Sequence, residues 1–351
     1  MMNNKEYIRE DLMGFTPYQA GHVTEGIKLD ANENPYGMED LVREKVMDWL
    51  SNNENFAIYP DSNCTELRQA IGKYYNLPIS QVVCGVGSDQ IIDCMVRGII
   101  SPGDTVVYPD PSFSMYQSVI TLNHGKGLAV DLNEDFSYDI EAMIKACNDN
   151  NAKLLILCTP NNPTGNSLSL DEMKEIASRV KCPIMIDEAY GEFTDKSSID
   201  LIKEFDNIAV LRTFSKAYGL AGLRIGYALG SQKALYPIEI SKPPYNVNTF
   251  TQVVAKIVIE NSELYKGHVE DMKDERKLLK ESLEAMGLKV YPSDANFLLI
   301  ECDKIDLDQH LESKKIYIRA MNIRGKKMYR ISVGKKEENI LVLESIKEAI
   351  K

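Results

Sequence analysis

The chain has 351 residues, 44% of them hydrophobic and 26% charged, an ordinary balance for a globular enzyme, and its length favours one large domain with a smaller one. The 40 basic and 52 acidic side chains leave a formal net charge of -12. That charge argues against a nucleic-acid surface or an anionic membrane as partner, and any bound anion must be met by local cations.

From about residue 63, helix-like and strand-like stretches alternate. Residues 67–75 read as an amphipathic helix, 81–84 as a short strand and 90–98 as a helix rich in Ile, Met and Val. Apolar runs of strand length follow at 105–108, 153–158, 183–186, 208–211 and 224–228, with helical patterns such as 170–180 between several of them. Strands that are apolar on both faces and alternate with helices predict an α/β fold, a mostly parallel sheet with helices on each side. After Ser241-Lys242-Pro243-Pro244, the nearest thing to a hinge, the pattern changes. A long charged helical stretch covers 249–286 with a break expected near Gly267, then strands at 297–300, 316–319 and 328–333 and a last helix from Glu337. This predicts a smaller α+β domain. The expected division is an N-terminal segment, 1–34, packing with the small domain, a large domain at 35–245 and the small domain at 246–351.

Cys64, Cys84, Cys94, Cys147, Cys158, Cys182 and Cys302 form no C-x-x-C pair, so free buried thiols in a reducing compartment are expected. His22, His124, His268 and His310 never fall at i, i+4 spacing, and no metal site is predicted. The start of the chain lacks an apolar stretch, and runs such as 154–158 are far too short to span a bilayer; a cytoplasmic protein is expected.

Ligands of open α/β sheets gather at the carboxyl ends of the strands. Strand 81–84 is followed by Gly85-Val86-Gly87-Ser88-Asp89-Gln90 and a helix, whose first N–H groups suit an anion. It matches neither a dinucleotide fingerprint nor a P-loop. Strand 153–158 ends in Thr159-Pro160-Asn161-Asn162-Pro163-Thr164-Gly165, which alone would be a turn. Strand 183–186 ends in Asp187-Glu188-Ala189-Tyr190, where an acidic residue could equally be a helix cap. Strand 208–211 delivers Thr213-Phe214-Ser215-Lys216, then Gly222-Leu223-Arg224; on its own Lys216 would read as a surface lysine. Four successive strand ends thus carry anion donors, an amide, a carboxylate and an amine to one edge.

In their order and spacing, Asn162-Pro163-Thr164-Gly165, Asp187-Glu188-Ala189-Tyr190, Ser215-Lys216 and Gly222-Leu223-Arg224 resemble the signatures of fold-type I pyridoxal-phosphate aminotransferases. More narrowly, Leu29-Asp30-Ala31-Asn32-Glu33-Asn34-Pro35-Tyr36-Gly37, Tyr59-Pro60-Asp61, Pro244-Tyr245-Asn246-Val247-Asn248 and Tyr329-Arg330-Ile331-Ser332-Val333-Gly334 look like the histidinol-phosphate aminotransferase family. The resemblance runs from about Pro17 to the C-terminal helix.

It implies pyridoxal 5'-phosphate as cofactor, Lys216 as the Schiff-base lysine and proton carrier, and Asp187 beside the pyridine nitrogen. It further implies Asn162 and Tyr190 on the phenolic oxygen and Phe113 stacked on the ring. The cofactor phosphate would lie on Gly87, Ser88, Asp89, Thr213, Ser215 and Arg224, with Tyr59 reaching it from the other subunit of a homodimer. Arg319 and Arg330, with Tyr18, Asn32, Tyr59 and Asn162, would form the substrate pocket. The implied reaction is transamination between L-histidinol phosphate and 2-oxoglutarate, giving imidazole acetol phosphate and glutamate in histidine biosynthesis.

The chain departs from the family pattern in the 15–21 segment, which has Gln19-Ala20 where a second proline is often found, and in a short basic stretch at 322–327, where Arg324 reads as plain surface. Both flank the substrate side. An aromatic amino-acid aminotransferase and a phosphothreonine-type decarboxylase therefore remain as alternatives. So do a silent cofactor-binding regulator and a plain nucleotide-binding fold, against which the intact Lys216, Asp187, Asn162 and Arg224 and the missing dinucleotide fingerprint respectively weigh.

Overall fold

The computed structural model describes residues 7–16, 25–53, 56–303 and 305–350. A short strand, β1 (Ile27–Lys28), precedes the first long helix, Asp40–Asn52. Seven strands among the described residues form the large sheet: β2 (Val82–Gly85), β3 (Thr105–Asp110), β4 (Lys126–Asp131), β5 (Leu154–Cys158), β6 (Ile184–Asp187), β7 (Ile208–Thr213) and β8 (Gly226–Gly230). Their spatial order is β2-β8-β7-β6-β5-β3-β4. β8 runs antiparallel to both its neighbours, and the other pairings are parallel. The result is the mixed, mostly parallel α/β sheet that the apolar runs predict.

Side chains alternate between two cores, as the period of a strand requires. Leu155, Leu157, Ile184, Ile186, Ile208 and Val210 pack on one face with the helices Thr65–Tyr75, Ile140–Asp149, Leu170–Arg179 and Thr249–Glu260. Leu154, Ile156, Met185, Ala209 and Leu211 pack on the other with Gly87–Ile99, Met115–Leu122 and Gln232–Ser241. With both faces covered, β5, β6, β7 and β8 are buried along their whole length. Edge strand β4 is largely exposed and polar at both ends, which leaves only the short run Leu128-Ala129-Val130 to mark it.

The C-terminal part adds β9 (Lys289–Val290), β10 (Phe297–Glu301), β11 (Ile316–Tyr317), β12 (Arg319–Ile323) and β13 (Lys326–Ser332). Four of these, in the order β12-β13-β10-β9, form an antiparallel sheet. Phe297 and Leu299 of β10 face the core of the large sheet, while Leu298 and Ile300 face a second core with Leu279, Leu283, Tyr329, Val342 and Ile346. β11 pairs in parallel with β1, Ile27 opposite Ile316 and Lys28 opposite Tyr317. These two strands form a sheet of their own, and the stretch leading into Asp30-Ala31-Asn32 is tied to the small sheet by the Ser332 N–H of β13, which donates to the Leu29 carbonyl at 2.9 Å.

Three expectations are corrected. The charged helical stretch breaks at Asn261, not Gly267: the helix Thr249–Glu260 ends there, with the Asn261 Nδ2 donating to the Ile257 carbonyl at 2.7 Å, and Gly267 lies inside the next helix, Lys266–Ala285. The expected strand at 316–319 is two strands, because the chain changes sheets at Ile318. Arg324, although exposed, is engaged across the fold. Its Nη1 donates to the Asn133 carbonyl at 3.0 Å and its Nη2 to that of Leu132, with the guanidinium 5.3 Å from the centre of the Phe136 ring. The hairpin between β12 and β13 is thus clasped to the segment after β4. Among the described residues no helix is long and apolar enough to cross a membrane.

Candidate active site

One cavity at the carboxyl ends of the large-sheet strands gathers most of the residues singled out above: Asn32, Ser88, Asp89, Phe113, Asn162, Asp187, Tyr190, Thr213, Ser215, Lys216, Arg224, Arg319 and Arg330 all line it. β6 ends at Asp187 and β7 at Thr213, and their register sets Asp187 opposite Leu211 on one side and Cys158 on the other. Buried strands of defined register therefore fix where the carboxylate and the amine-bearing turn emerge.

Asp187 is 3% exposed and held by two bonds: the Tyr116 hydroxyl donates to Oδ2 at 2.7 Å and the Ala189 N–H to Oδ1 at 3.0 Å. Burial pushes its pKa up to about 6, against the pull of those two bonds. Lys216 moves the other way. Its Nζ donates to the Ala31 carbonyl at 2.8 Å and lies 5.7 Å from the centre of the Tyr190 ring. Burial first, and then the Arg330 charge, bring its pKa down to about 7. An amine that loses its proton easily and a carboxyl poised near neutrality in one cavity are the marks of a site that moves protons.

The Asn162 Oδ1 accepts from Arg330 Nη1 at 2.6 Å, and Arg330 Nη2 donates to the Asp30 carbonyl at 2.5 Å. Asn32 Nδ2 donates to the Tyr190 hydroxyl at 2.9 Å, and the Asn32 Oδ1 accepts from the Ser332 hydroxyl at 3.0 Å. A strand of the small sheet thus reaches, through Arg330 and Ser332, the groups on the ends of β5 and β6. On the opposite side, Arg224 pairs with Asp89 at 2.7 Å, both about half-exposed, beside the Thr213 and Ser215 hydroxyls, which lie 3.0 Å apart. Gly87 opens the helix behind them at φ +71°, and a Cβ there would stand 2.6 Å from Arg224 Nη2. Glycine is required both for the turn and for the approach of the guanidinium.

Two of the named residues lie apart from the cavity lining. Gly87 acts from behind Arg224, and Tyr59 is 77% exposed, stacked on Tyr245 with ring centres 4.6 Å apart. Tyr18 lies outside the described residues. The cavity also takes in residues not singled out: Lys28, Asp30, Ala31, Cys158 and Ala189, with Tyr116 behind Asp187. Lys28 is held by Asp30 at 3.1 Å and Glu33 at 2.7 Å. Ala31 contributes a carbonyl, which no residue type announces. The signal for Tyr116 was its place three residues after Phe113, at the start of the helix Met115–Leu122.

A mixed α/β sheet that brings a part-buried lysine amine and a buried carboxylate to neighbouring strand ends is the frame of a fold-type I pyridoxal-phosphate enzyme. The chain belongs to the aminotransferase class I and II family, whose sequence pattern matches residues 24–346. It is 36% identical over 349 residues to a histidinol-phosphate aminotransferase of Ruminiclostridium cellulolyticum, covering 97% of this chain and 98% of that protein. Its fold matches that of a histidinol-phosphate aminotransferase from Sinorhizobium meliloti, solved with pyridoxal-5'-phosphate, at a TM-score of 0.85 and 23% identity, over 92% of this chain and 90% of that one. An L-threonine-O-3-phosphate decarboxylase from Porphyromonas gingivalis shares the fold at a TM-score of 0.80 and 22% identity, over 92% and 98%.

Proposed function

We propose that the protein is a pyridoxal-phosphate-dependent aminotransferase that moves the amino group of L-histidinol phosphate to 2-oxoglutarate, giving imidazole acetol phosphate and glutamate. The observation that carries this reading is one cavity holding Lys216 and Asp187 with an anion cradle at one end and two arginines, Arg319 and Arg330, at the other. Relatives of that name similar over nearly the full length support the choice of amine.

The donors suit the cofactor. The buried Asp187 carboxylate fits a protonated ring nitrogen, Asn162 and Tyr190 suit a phenolic oxygen, and the Phe113 ring offers an apolar face. The N–H groups of Ser88 and Asp89, the hydroxyls of Thr213 and Ser215 and the Arg224 guanidinium would hold a phosphate. When bound, pyridoxal phosphate supplies an electron sink for the carbanion at the amine's Cα. Lys216 would hold the cofactor through its Nζ, and that amine, once freed, would move the proton from the substrate Cα to the cofactor carbon. Arg319 and Arg330 bind the substrate phosphate or a carboxylate of the oxo acid.

Turnover of histidinol phosphate, phenylalanine and phosphothreonine, followed as glutamate formed and carbon dioxide released, tests the assignment. Histidinol phosphate is expected to exceed phenylalanine in kcat/KM by on the order of 100-fold. Glutamate from phenylalanine alone, or carbon dioxide from phosphothreonine, would refute it. Arg319→Ala is expected to raise KM for histidinol phosphate on the order of 100-fold, the worth of charged hydrogen bonds of about 1.5–3 kcal/mol, while phenylalanine changes little. An equal loss for both amines would take the phosphate away from Arg319.

The working form is a homodimer in the cytoplasm. Ile58 and Tyr59 are 69% and 77% exposed, an unusual load of apolar surface beside the Tyr245 ring. Asn246 and Asn248, next to that ring in sequence, line a second cavity together with Arg224, which puts the exposed aromatic pair on the side of the phosphate cradle. A second copy covering this face would let its Tyr59 reach the phosphate. All seven cysteines are free and buried, in keeping with a reducing compartment. Ile58→Asp is expected to halve the mass seen by sedimentation and to cut activity; a mass and activity like the parent's would rule this face out as the interface.

A further inference from the structure

We propose that Tyr116 is the positioning residue for Asp187: its hydroxyl holds the carboxylate in one orientation and in its charged form, while its ring backs Phe113. This deepens, and rests on, the reading of the cavity as a pyridoxal-phosphate site.

Tyr116 is fully buried at the start of the helix Met115–Leu122 and is not among the residues lining the cavity, which Asp187 is. Its O–H and the Ala189 N–H take one carboxylate oxygen each, at 2.7 and 3.0 Å, and two bonds from different elements fix the plane of the group. The same ring meets Phe113 edge to face, centres 5.6 Å apart and planes at 88°. One side chain thus sets both the carboxylate and the aromatic face that the cofactor ring would meet.

The electrostatic setting makes the hydroxyl necessary. The groups facing Asp187 are Cys158 on β5, Tyr138, Asp89 on the helix Gly87–Ile99, and Glu188 and Tyr190 of its own turn. Asp89 and Glu188 both favour a neutral carboxyl at Asp187, as does burial. Burial pushes the Cys158 thiol up to about 12, so it stays uncharged, and Tyr116 is raised well above its ordinary value and remains a donor. Tyr116 is the side chain whose bond to the carboxylate favours the charged form, with the Ala189 N–H as the backbone counterpart. Without the hydroxyl, a protonated Asp187 could no longer hold a protonated ring nitrogen by charge.

Tyr116→Phe keeps the ring against Phe113 and removes the O–H. The apoprotein labelled with 13C at the aspartate carboxyls gives the titration of Asp187 by nuclear magnetic resonance. The parent carboxyl is expected to titrate near 6, and that of Tyr116→Phe about one unit higher, with pyridoxal phosphate binding on the order of tenfold weaker. In an Asp187→Ala background, Tyr116→Phe should change the affinity no further, because the hydroxyl acts through the carboxylate. An unmoved titration, or the same fold loss in that background, would overturn the proposal and leave Tyr116 a packing residue. Failure of the parent to bind pyridoxal phosphate would overturn the reading of the cavity, and the apoprotein titration would still decide the role of Tyr116.

Discussion

Lys216→Ala is expected to lower the rate constant of transamination by on the order of 10,000-fold and to abolish borohydride-stable attachment of pyridoxal phosphate. The amine is part-buried, with the Ala31 carbonyl as its acceptor at 2.8 Å, and desolvation brings its pKa down to about 7. A lysine left at its ordinary value would be almost wholly protonated at neutral pH and could neither attack a carbonyl nor accept a proton. The sign of the pH dependence follows. Below about 7 the amine is charged and inert, and above it the neutral form prevails. Covalent capture of pyridoxal phosphate by the apoprotein should therefore be slow at acid pH, rise through about 7 and level off above it. Arg330 is the second cause of the low value, so Arg330→Gln should move the midpoint upward. A capture rate that falls as pH rises through 7, or attachment that persists in Lys216→Ala, would contradict the role given to this lysine.

That amine was legible because the sequence marks strand ends well. Apolar runs buried on both faces, 153–158, 183–186 and 208–211, correspond to β5, β6 and β7, and the residues following each run meet in the cavity. The parallel pairing of β5 with β6 then sets Asp187 opposite Cys158. What escaped was structure without a side-chain pattern. β4 is an edge strand with only three consecutive apolar side chains, and the pairing of β1 with β11 involves two residues on each strand, too few for any period to show. The Ala31 carbonyl that holds Lys216 is a backbone atom. Tyr116 reads as one more apolar residue of a short helix until the fold brings its hydroxyl to Asp187 at the end of β6. Arg324 looked like surface because its partners, the Leu132 and Asn133 carbonyls, are about 190 residues away in the chain.

A second large effect is expected from Arg212, which touches no cavity atom. Arg212→Met should reduce the free energy of unfolding by about 3–5 kcal/mol, measured by urea unfolding at a fixed protein concentration. The side chain leaves β7 buried, with Nη2 donating to Glu188 Oε2 at 2.6 Å and to the Ser197 hydroxyl at 3.1 Å, and Nη1 to Glu192 Oε1 at 2.9 Å. Gly191 makes the room, since a Cβ there would lie 2.5 Å from the guanidinium carbon. Removing the cation strands two carboxylates: Glu188, wholly buried, and Glu192, already pushed toward its neutral form by burial and drawn back by Arg212. The exposed pair of Arg224 and Asp89 makes the contrast, because solvent screening leaves such a pair worth at most about 1 kcal/mol to stability. A loss below about 1 kcal/mol in Arg212→Met would mean the two carboxylates find other partners. Glu188 and Glu192 bracket Tyr190 and adjoin Asp187, so the buried triad also fixes the turn that delivers both site residues. Arg212→Met combined with Glu188→Gln and Glu192→Gln removes every charge together and should recover most of the stability. If that variant folds as firmly as the parent but turns over more slowly, the triad is retained to orient Asp187 and Tyr190, and equal rates would assign it to stability alone.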